Sequence, residues 1–242
     1  MNNPSIEQRV LHNWAARFQL PIEQLQNPGT TLFEDPQRDE KRWILLWPAG
    51  KHTVVQLAPA HAAAVREVLA TYPQDHAISG SELQAAWDGS ELSQDKFYML
   101  DTASFQPFTP DAHYTVRVLT SADQAAFDEF QARCSAEDRD TGDIAIQHEL
   151  AVGVFDGERI AAGASMFEWI GFSDIGVLSD PTYRRQGLGK AAVSFLCEEL
   201  LRREHERVIL YRHELNNTGS QGIAVGLNFH FIAMMEGVSP PK

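Results

Sequence analysis

"PTYRRQGLGKAAVSFLCEELL", Pro181 to Leu201, is the stretch on which the reading of this chain turns. Gly187 and Gly189 stand two apart behind Arg184 and Arg185, and Lys190 follows at once. Together they open a long amphipathic helix. A basic, glycine-bearing loop at a helix start suits an anion. Glycines let backbone amides approach closely, and the helix dipole favours negative charge there. The rest of the chain is acidic, with 33 Asp and Glu against 20 Lys and Arg and a formal net charge of −13. The loop's positive charge is therefore a local feature, and the question is which anion it holds.

The composition narrows the answer. A chain of 242 residues holds one large domain or two modest ones. With 43% apolar and 22% charged residues it is a globular protein with a sizeable core. The acidic excess is shared by both halves, so no basic face of the size nucleic acid requires is expected. A small anion, or a cationic substrate, remains compatible. Cys134 and Cys197 are too isolated to form a metal pair or a disulfide framework, and no metal is expected. Cys197 falls on the apolar face of its helix and reads as a buried small hydrophobe. Near the N-terminus, Ile6, Val10, Trp14 and Phe18 recur every four positions, while Glu7, Arg9 and Arg17 interrupt any apolar run. That is a helix rather than a signal peptide. No stretch approaches the roughly 18 apolar residues of a membrane span. No membrane partner is expected, and a reducing cytoplasm fits.

The first half reads as a mixed α+β unit. A helix is predicted over 4–19, then strands in "RWILLW" (Arg42–Trp47) and "HTVVQLA" (His52–Ala58). "HAAAVREVLATY" (His61–Tyr72) is rich in helix formers, "SELQAAW" is a second helix with Ser81 as its cap, and "KFYMLD" (Lys96–Asp101) is a strand. No chemical motif stands out, and Trp43, Trp47 and Trp87 read as core or interface residues. "TASFQPFTPDAH" (Thr102–His113) is polar, carries two prolines and lacks a period, which marks it as a linker. The expected division is residues 1–112 and 113–242.

The second half begins with a strand, "YTVRVL" (Tyr114–Leu119), and a helix capped by Thr120 or Ser121. "ELAVGVFDGERIAAGASMFEW" (Glu149–Trp169) is a hairpin turning at Asp156-Gly157. "SDIGVLS" (Ser173–Ser179) is a strand, followed by the glycine loop and its helix, and "RVILYRH" (Arg207–His213) is another. "NNTGSQGIAVGL" (Asn216–Leu227) is a helix leading to a last strand near "FHFIAMM". The expected order is β-α-β-β-β-α-β-α-β.

Three readings of the loop compete. A nucleotide P-loop requires G-x-x-x-x-G-K-[S/T]. Ala191 follows Gly189-Lys190, and Arg184 stands where the first glycine belongs. A dinucleotide fingerprint fits "GLGKAA", and Arg212 could imitate an arginine reading a 2′-phosphate. Yet the loop does not leave its strand at once, and too little chain follows to build the remaining βα units. The third reading takes the whole of "DPTYRRQGLGKA", which fits [Q/R]-x-x-G-x-[G/A] with Arg184, Gly187 and Gly189 at the fixed places. This resembles motif A of the GNAT superfamily of acyl-CoA-dependent N-acyltransferases. "DIGVLSDPTYR" resembles the strand and turn that precede that motif. "NNTGSQGIAVGLNF" resembles the family's motif B, with Asn217 and Phe229 at matching spacing and Ser220 between. The resemblance covers the second half only.

The resemblance implies an α+β GNAT fold, a mixed central sheet with flanking helices, preceded by a smaller α+β accessory domain. It implies acetyl-CoA as the acyl donor. Val177, Leu178 and Ser179 would line it, Arg184, Arg185, Gln186, Gly187, Leu188, Gly189 and Lys190 would hold its pyrophosphate, and Asn217 and Ser220 would join from the later helix. The acceptor would be a small-molecule or peptide amine. Residues 1–112 would cover the acceptor site or mediate association, with a homodimer one expected assembly.

Such a reaction must deprotonate an amine of pKa about 10.4, a cost of roughly 4–5 kcal/mol at neutral pH. Asp174, at the start of its strand, is the first candidate base and Glu168 the second, with Ser173 one residue away in register. Many family members carry a Tyr in the motif B helix to protonate the leaving sulfur. Here that place is Ala224, and Asn228 replaces the usual Gly before Phe229. Tyr211 and His213 are the substitute acids, although a thiol of pKa about 8.5 leaves readily unaided. The missing Tyr also motivates a second reading, a non-catalytic acyl-CoA-binding or sensing module.

Overall fold

The computed structural model describes residues 5–169, 171–204 and 207–240. The chain divides into two compact units. One takes in the chain up to Phe97 together with His213–Asn216 and the stretch from Ile232 onward, and the other comprises Tyr98–Arg212 and Asn217–Phe231.

In the first unit, α1 (Ile6–Phe18) starts at a capping box. The Ser5 hydroxyl accepts from the Gln8 amide, and the Gln8 side chain accepts from the Ser5 amide. The four-residue spacing read in the sequence becomes its buried face, Ile6, Val10, Trp14 and Phe18. Trp14 packs on Trp47 of β2 (Ile44–Ala49), ring centroids 5.0 Å apart. After α2 (Ile22–Gln26), β1 (Gly29–Glu34) pairs in parallel with β3 (His52–Leu57), which pairs antiparallel with β2. Two helices follow, α3 (Ala62–Leu69) and α4 (Gly80–Ala85), and then β4 (Leu92–Met99). The cap of α4 is Ser79, not Ser81. Ser79 stands three residues before Glu82, the spacing that lets hydroxyl and carboxylate satisfy each other's amides.

The second unit runs through β5 (Tyr114–Val118), α5 (Gln124–Ala132), α6 (Ala136–Gly142), β6 (Leu150–Asp156), β7 (Arg159–Trp169), β8 (Phe172–Ser179), α7 (Leu188–Arg203), β9 (Ile209–Glu214), α8 (Thr218–Gly226) and the start of β10 (His230–Val238). Apart from the short α6, this is the expected order. The strands lie side by side as β9-β8-β7-β6-β5. The pairs from β5 to β8 are antiparallel and β8 pairs in parallel with β9. Both faces of this sheet are covered, which is why β6 is buried along almost its whole length. Val152 and Val154 join the core with α7, while Ala151 and Phe155 join Phe127 and Phe130 of α5. The β6–β7 turn falls at Gly157, at φ 58. Among the described residues, no helix is long and apolar enough to cross a membrane. Cys197 is fully buried on α7, and burial pushes its thiol far up.

Candidate functional site

The loop between β8 and α7 is pinned at almost every residue. Asp180, fully buried, opens it. Its Oδ2 accepts from Arg133 Nε at 2.6 Å and Arg159 Nη2 at 2.8 Å. Its Oδ1 accepts from the amide and hydroxyl of Thr182 at 3.0 and 2.7 Å. The Tyr183 hydroxyl donates to Asp156 at 2.7 Å, Arg184 pairs with Asp138 at 2.8 Å, and Gln186 Oε1 accepts from the Tyr114 hydroxyl at 2.8 Å. The charge of Arg184 is thus shared with a carboxylate, while Arg185 is exposed.

Arg185 and Gly187 take left-handed conformations, φ 63 and 78, and turn the chain into α7. The amide of Ala191 donates to the Gly187 carbonyl at 2.9 Å, so those of Leu188, Gly189 and Lys190 are the orphan donors of the helix start. This is the donor set a pyrophosphate requires. Gly189 serves a different end from the one its motif suggests. A Cβ there would lie 3.0 Å from Ser179 Oγ, 3.4 Å from Ile223 Cδ1 and 3.5 Å from Val177 Cγ2. The missing side chain lets α7 pack closely on β8 and α8. Leu188 is buried in the α7 core, and Leu178 belongs to the α5 core on the other face of the sheet.

β8 and β9 pair at Ser173–Ile209 and Asp174–Leu210, and not beyond those positions among the described residues. From Ile175 to Ser179, β8 stays paired with β7 alone, leaving a slot on its other edge that leads toward the glycine loop. Asn217 caps α8, its Oδ1 accepting from the Ser220 amide at 2.9 Å. Tyr211 is buried in the core shared by α7 and Ala224, its ring 5.5 Å from Phe229. Its hydroxyl has Ser220 as a polar neighbour but closes no hydrogen bond of ordinary geometry. Burial pushes this phenol far up.

Asp174 is the third residue of β8, 1% exposed, rather than a solvated strand end. Its Oδ2 accepts from Arg212 Nε at 2.7 Å and its Oδ1 from the Ile175 amide at 3.0 Å. Burial pushes its carboxyl up to about 6, with Arg212 pulling the other way. Glu168 is exposed and opposes Ser173, whereas Phe167 opposes Asp174. Glu168 and Asp174 therefore project from opposite faces of the sheet, and the structure does not bring the two candidate bases together. Ser173 is buried, with its amide donating to the Val208 carbonyl at 3.1 Å.

The face that carries Asp174 holds further groups, and Arg212 serves there as the partner of a carboxylate. The Arg212 guanidinium lies 4.4 Å from the Trp169 ring centroid. His148 Nδ1 is 2.8 Å from Ser165 Oγ, and the His148 ring lies 4.9 Å from that of Phe167. Ser165, Phe167 and Trp169 alternate along β7 onto the same side as Asp174. Among the described residues, no cluster of His, Cys, Asp and Glu is arranged to hold a metal.

The sheet, the loop and the slot define a fold class that comparison with known proteins names. Residues 116–228 match the model of the acetyltransferase (GNAT) family. An acetyltransferase of the GNAT family from Colwellia psychrerythraea is similar in structure, with a TM-score of 0.53 and 17% identity over 78% of this chain and 76% of that one. A GCN5-related N-acetyltransferase from Kribbella flavida gives 0.50 and 18%, over 67% and 63%. A Drosophila protein gives 0.51 and 13%, over 97% and 87%. Identities this low establish the fold. No curated protein matches the chain.

Proposed function

We propose that the chain is an N-acetyltransferase that moves the acetyl group of acetyl-CoA to an amine of a small molecule or peptide by direct attack. The observation that carries this reading is the slot where β8 and β9 part, running from Asp174 to a loop whose helix-start amides face no partner among the described residues. The amine nitrogen would form a bond to the thioester carbonyl carbon, the carbon–sulfur bond would break, and the sulfur would leave as thiolate. Asp174 would take the amine's proton, directly or through water. Its raised pKa leaves it mostly ionised at neutral pH yet more basic than an ordinary carboxylate. Glu168 is the second candidate for that role. The thiolate requires little assistance, and the Tyr211 hydroxyl, buried and without a closed hydrogen bond, is the group suited to supply what it does require.

In this reading residues 113–242 carry the chemistry, and residues 1–112 form an accessory region that covers the acceptor or mediates association. Ala224, in the place of the helix tyrosine, supports the rival reading of a non-catalytic acyl-CoA-binding module. The two separate in one assay. Acetyl-CoA is incubated with the full chain and a panel of amines, and free thiol is followed. Amine-dependent thiol release is the expected result. Binding of acetyl-CoA without release from any amine would favour the sensing module.

A further inference from the structure

The stretch Ser104–Phe108 has no regular secondary structure, and Gln106 and Pro107 are exposed. Even so, it is fixed to two helices of its own unit. Asn228 Nδ2 donates to the Ser104 carbonyl at 2.9 Å, and the Gln106 amide donates to the Leu227 carbonyl at 3.1 Å. The Phe108 amide donates at 2.8 Å to the hydroxyl of Ser194, a residue with no exposed surface on α7. Phe105 and Phe108 pack on the core beneath. This is a strap rather than a free tether, and it ties α7 to the end of α8.

The strap delivers one ring to one place. Phe108 Cζ lies 3.1 Å from where a Cβ of Gly187 would be, so the ring sits against the turn that opens α7. The Lys190 ammonium lies 3.8 Å from the centroid of the same ring. Gly226 makes room for that lysine, since a Cβ there would come within 3.1 Å of Lys190 Cδ. Among the described residues Lys190 forms no ion pair. A cation on an aromatic face keeps its full charge and gives up part of its freedom. Lys190 belongs to the first turn of α7, whose amides point the same way as the helix dipole.

We infer that Phe108 is a positioning residue for the acyl donor, its ring holding the Lys190 ammonium at the glycine loop for a phosphate group of that donor. The inference rests on the donor reading above. It also accounts for Asn228. That residue sits at φ 58, where the family pattern has Gly. Asn tolerates the left-handed region, and its side-chain amide adds the bond to Ser104 that Gly could not make.

The test is a double-mutant cycle read by calorimetry, with CoA titrated into the full chain. Phe108→Leu keeps apolar volume and removes the ring. It should weaken CoA binding about two- to fivefold, the range of an exposed cation–π contact. In a Lys190→Gln background the same change should have no further effect, because Phe108 then has no cation to hold. Asn228→Gly, which suits φ 58, should weaken binding in the same direction in a protein that stays folded, and it carries the test if Phe108→Leu does not fold. Equal weakening by Phe108→Leu with and without Lys190, or unchanged binding in both Phe108→Leu and Asn228→Gly, would reduce the ring to packing and overturn the inference. A wild-type chain that binds no CoA would overturn the donor reading itself, before any variant is made.

Discussion

Arg212 donates its Nε–H to Oδ2 of Asp174 at 2.7 Å, beside the last position at which β8 and β9 remain paired. Asp174 is pulled two ways there, upward by burial and downward by the arginine, and is pushed up to about 6. The activity should therefore show an acidic limb with an apparent pKa near that value. Asp174→Asn keeps size and removes the proton acceptor. It should lower kcat/KM for the amine by about 10²–10⁴-fold and leave CoA affinity in place. Arg212→Met removes the downward pull and should move the acidic limb to higher pH. A pH–rate profile of both variants decides. If Asp174→Asn keeps the wild-type profile while Glu168→Gln flattens the acidic limb, Glu168 is the base.

Tyr211→Phe separates an acid role from a packing role. Among the described residues the buried hydroxyl closes no hydrogen bond of ordinary geometry, so its removal should leave the melting temperature unchanged or raise it. Turnover should fall less than in Asp174→Asn. A drop in kcat as large as that of the aspartate variant would mean that thiolate departure depends on this phenol.

Asp180 anchors the loop and titrates in the opposite sense to Asp174. Burial alone would raise its pKa, but Arg159, Thr182 and Arg133 together hold it well below the usual carboxylate range. Its contribution to stability is therefore present above the unfolded carboxylate pKa of about 3.9 and lost as pH falls toward the folded value. Asp174, with a raised pKa, contributes stability below the unfolded value that is lost as pH rises through about 6. Asp180→Asn should cost about 3 kcal/mol near pH 7, at the lower end for breaking a buried pair because both arginines reach solvent. Urea unfolding should show that cost shrinking below about pH 4. A cost that stays constant into acid would mean that the ion pairs are not its source.

The two glycines of the loop should respond differently to substitution. Gly187→Ala places a side chain at φ 78, a strain of about 1–2 kcal/mol, and against Phe108. It should weaken CoA binding in a protein that still folds. Gly189→Val drives atoms into Ser179 and Ile223 and should lower the melting temperature along with binding. Thermal melts beside CoA titrations would reveal the difference, and a fully stable Gly189→Val would contradict the packing role given to Gly189.

Periodicity and motif spacing made the C-terminal element order and the glycine loop legible, because both are local. The buried face of α1 and the Gly157 turn followed from the same signals. The helices α2 and α6 are too short to show a period, and β1, Gly29–Glu34, carries no apolar alternation, so none of the three is legible. The cap of α4 is Ser79 rather than Ser81 because the capping box begins two residues before the apparent helix start. Arg212, His148 and the Ser104–Phe108 strap owe their roles to partners 17 to 124 residues away, which no local pattern encodes. The stretch Thr102–His113 reads as a linker by composition, and only its bonds to Ser194, Leu227 and Asn228 mark it as part of a packed surface.

The central claim, that the loop from Arg184 to Lys190 holds the phosphates of an acyl-CoA donor, is tested most directly by calorimetric titration of CoA into the full chain. The account predicts saturable binding that Gly187→Ala weakens, with NADPH giving no heat of binding. Binding of NADPH with no response to CoA would contradict it and restore the dinucleotide reading of "GLGKAA".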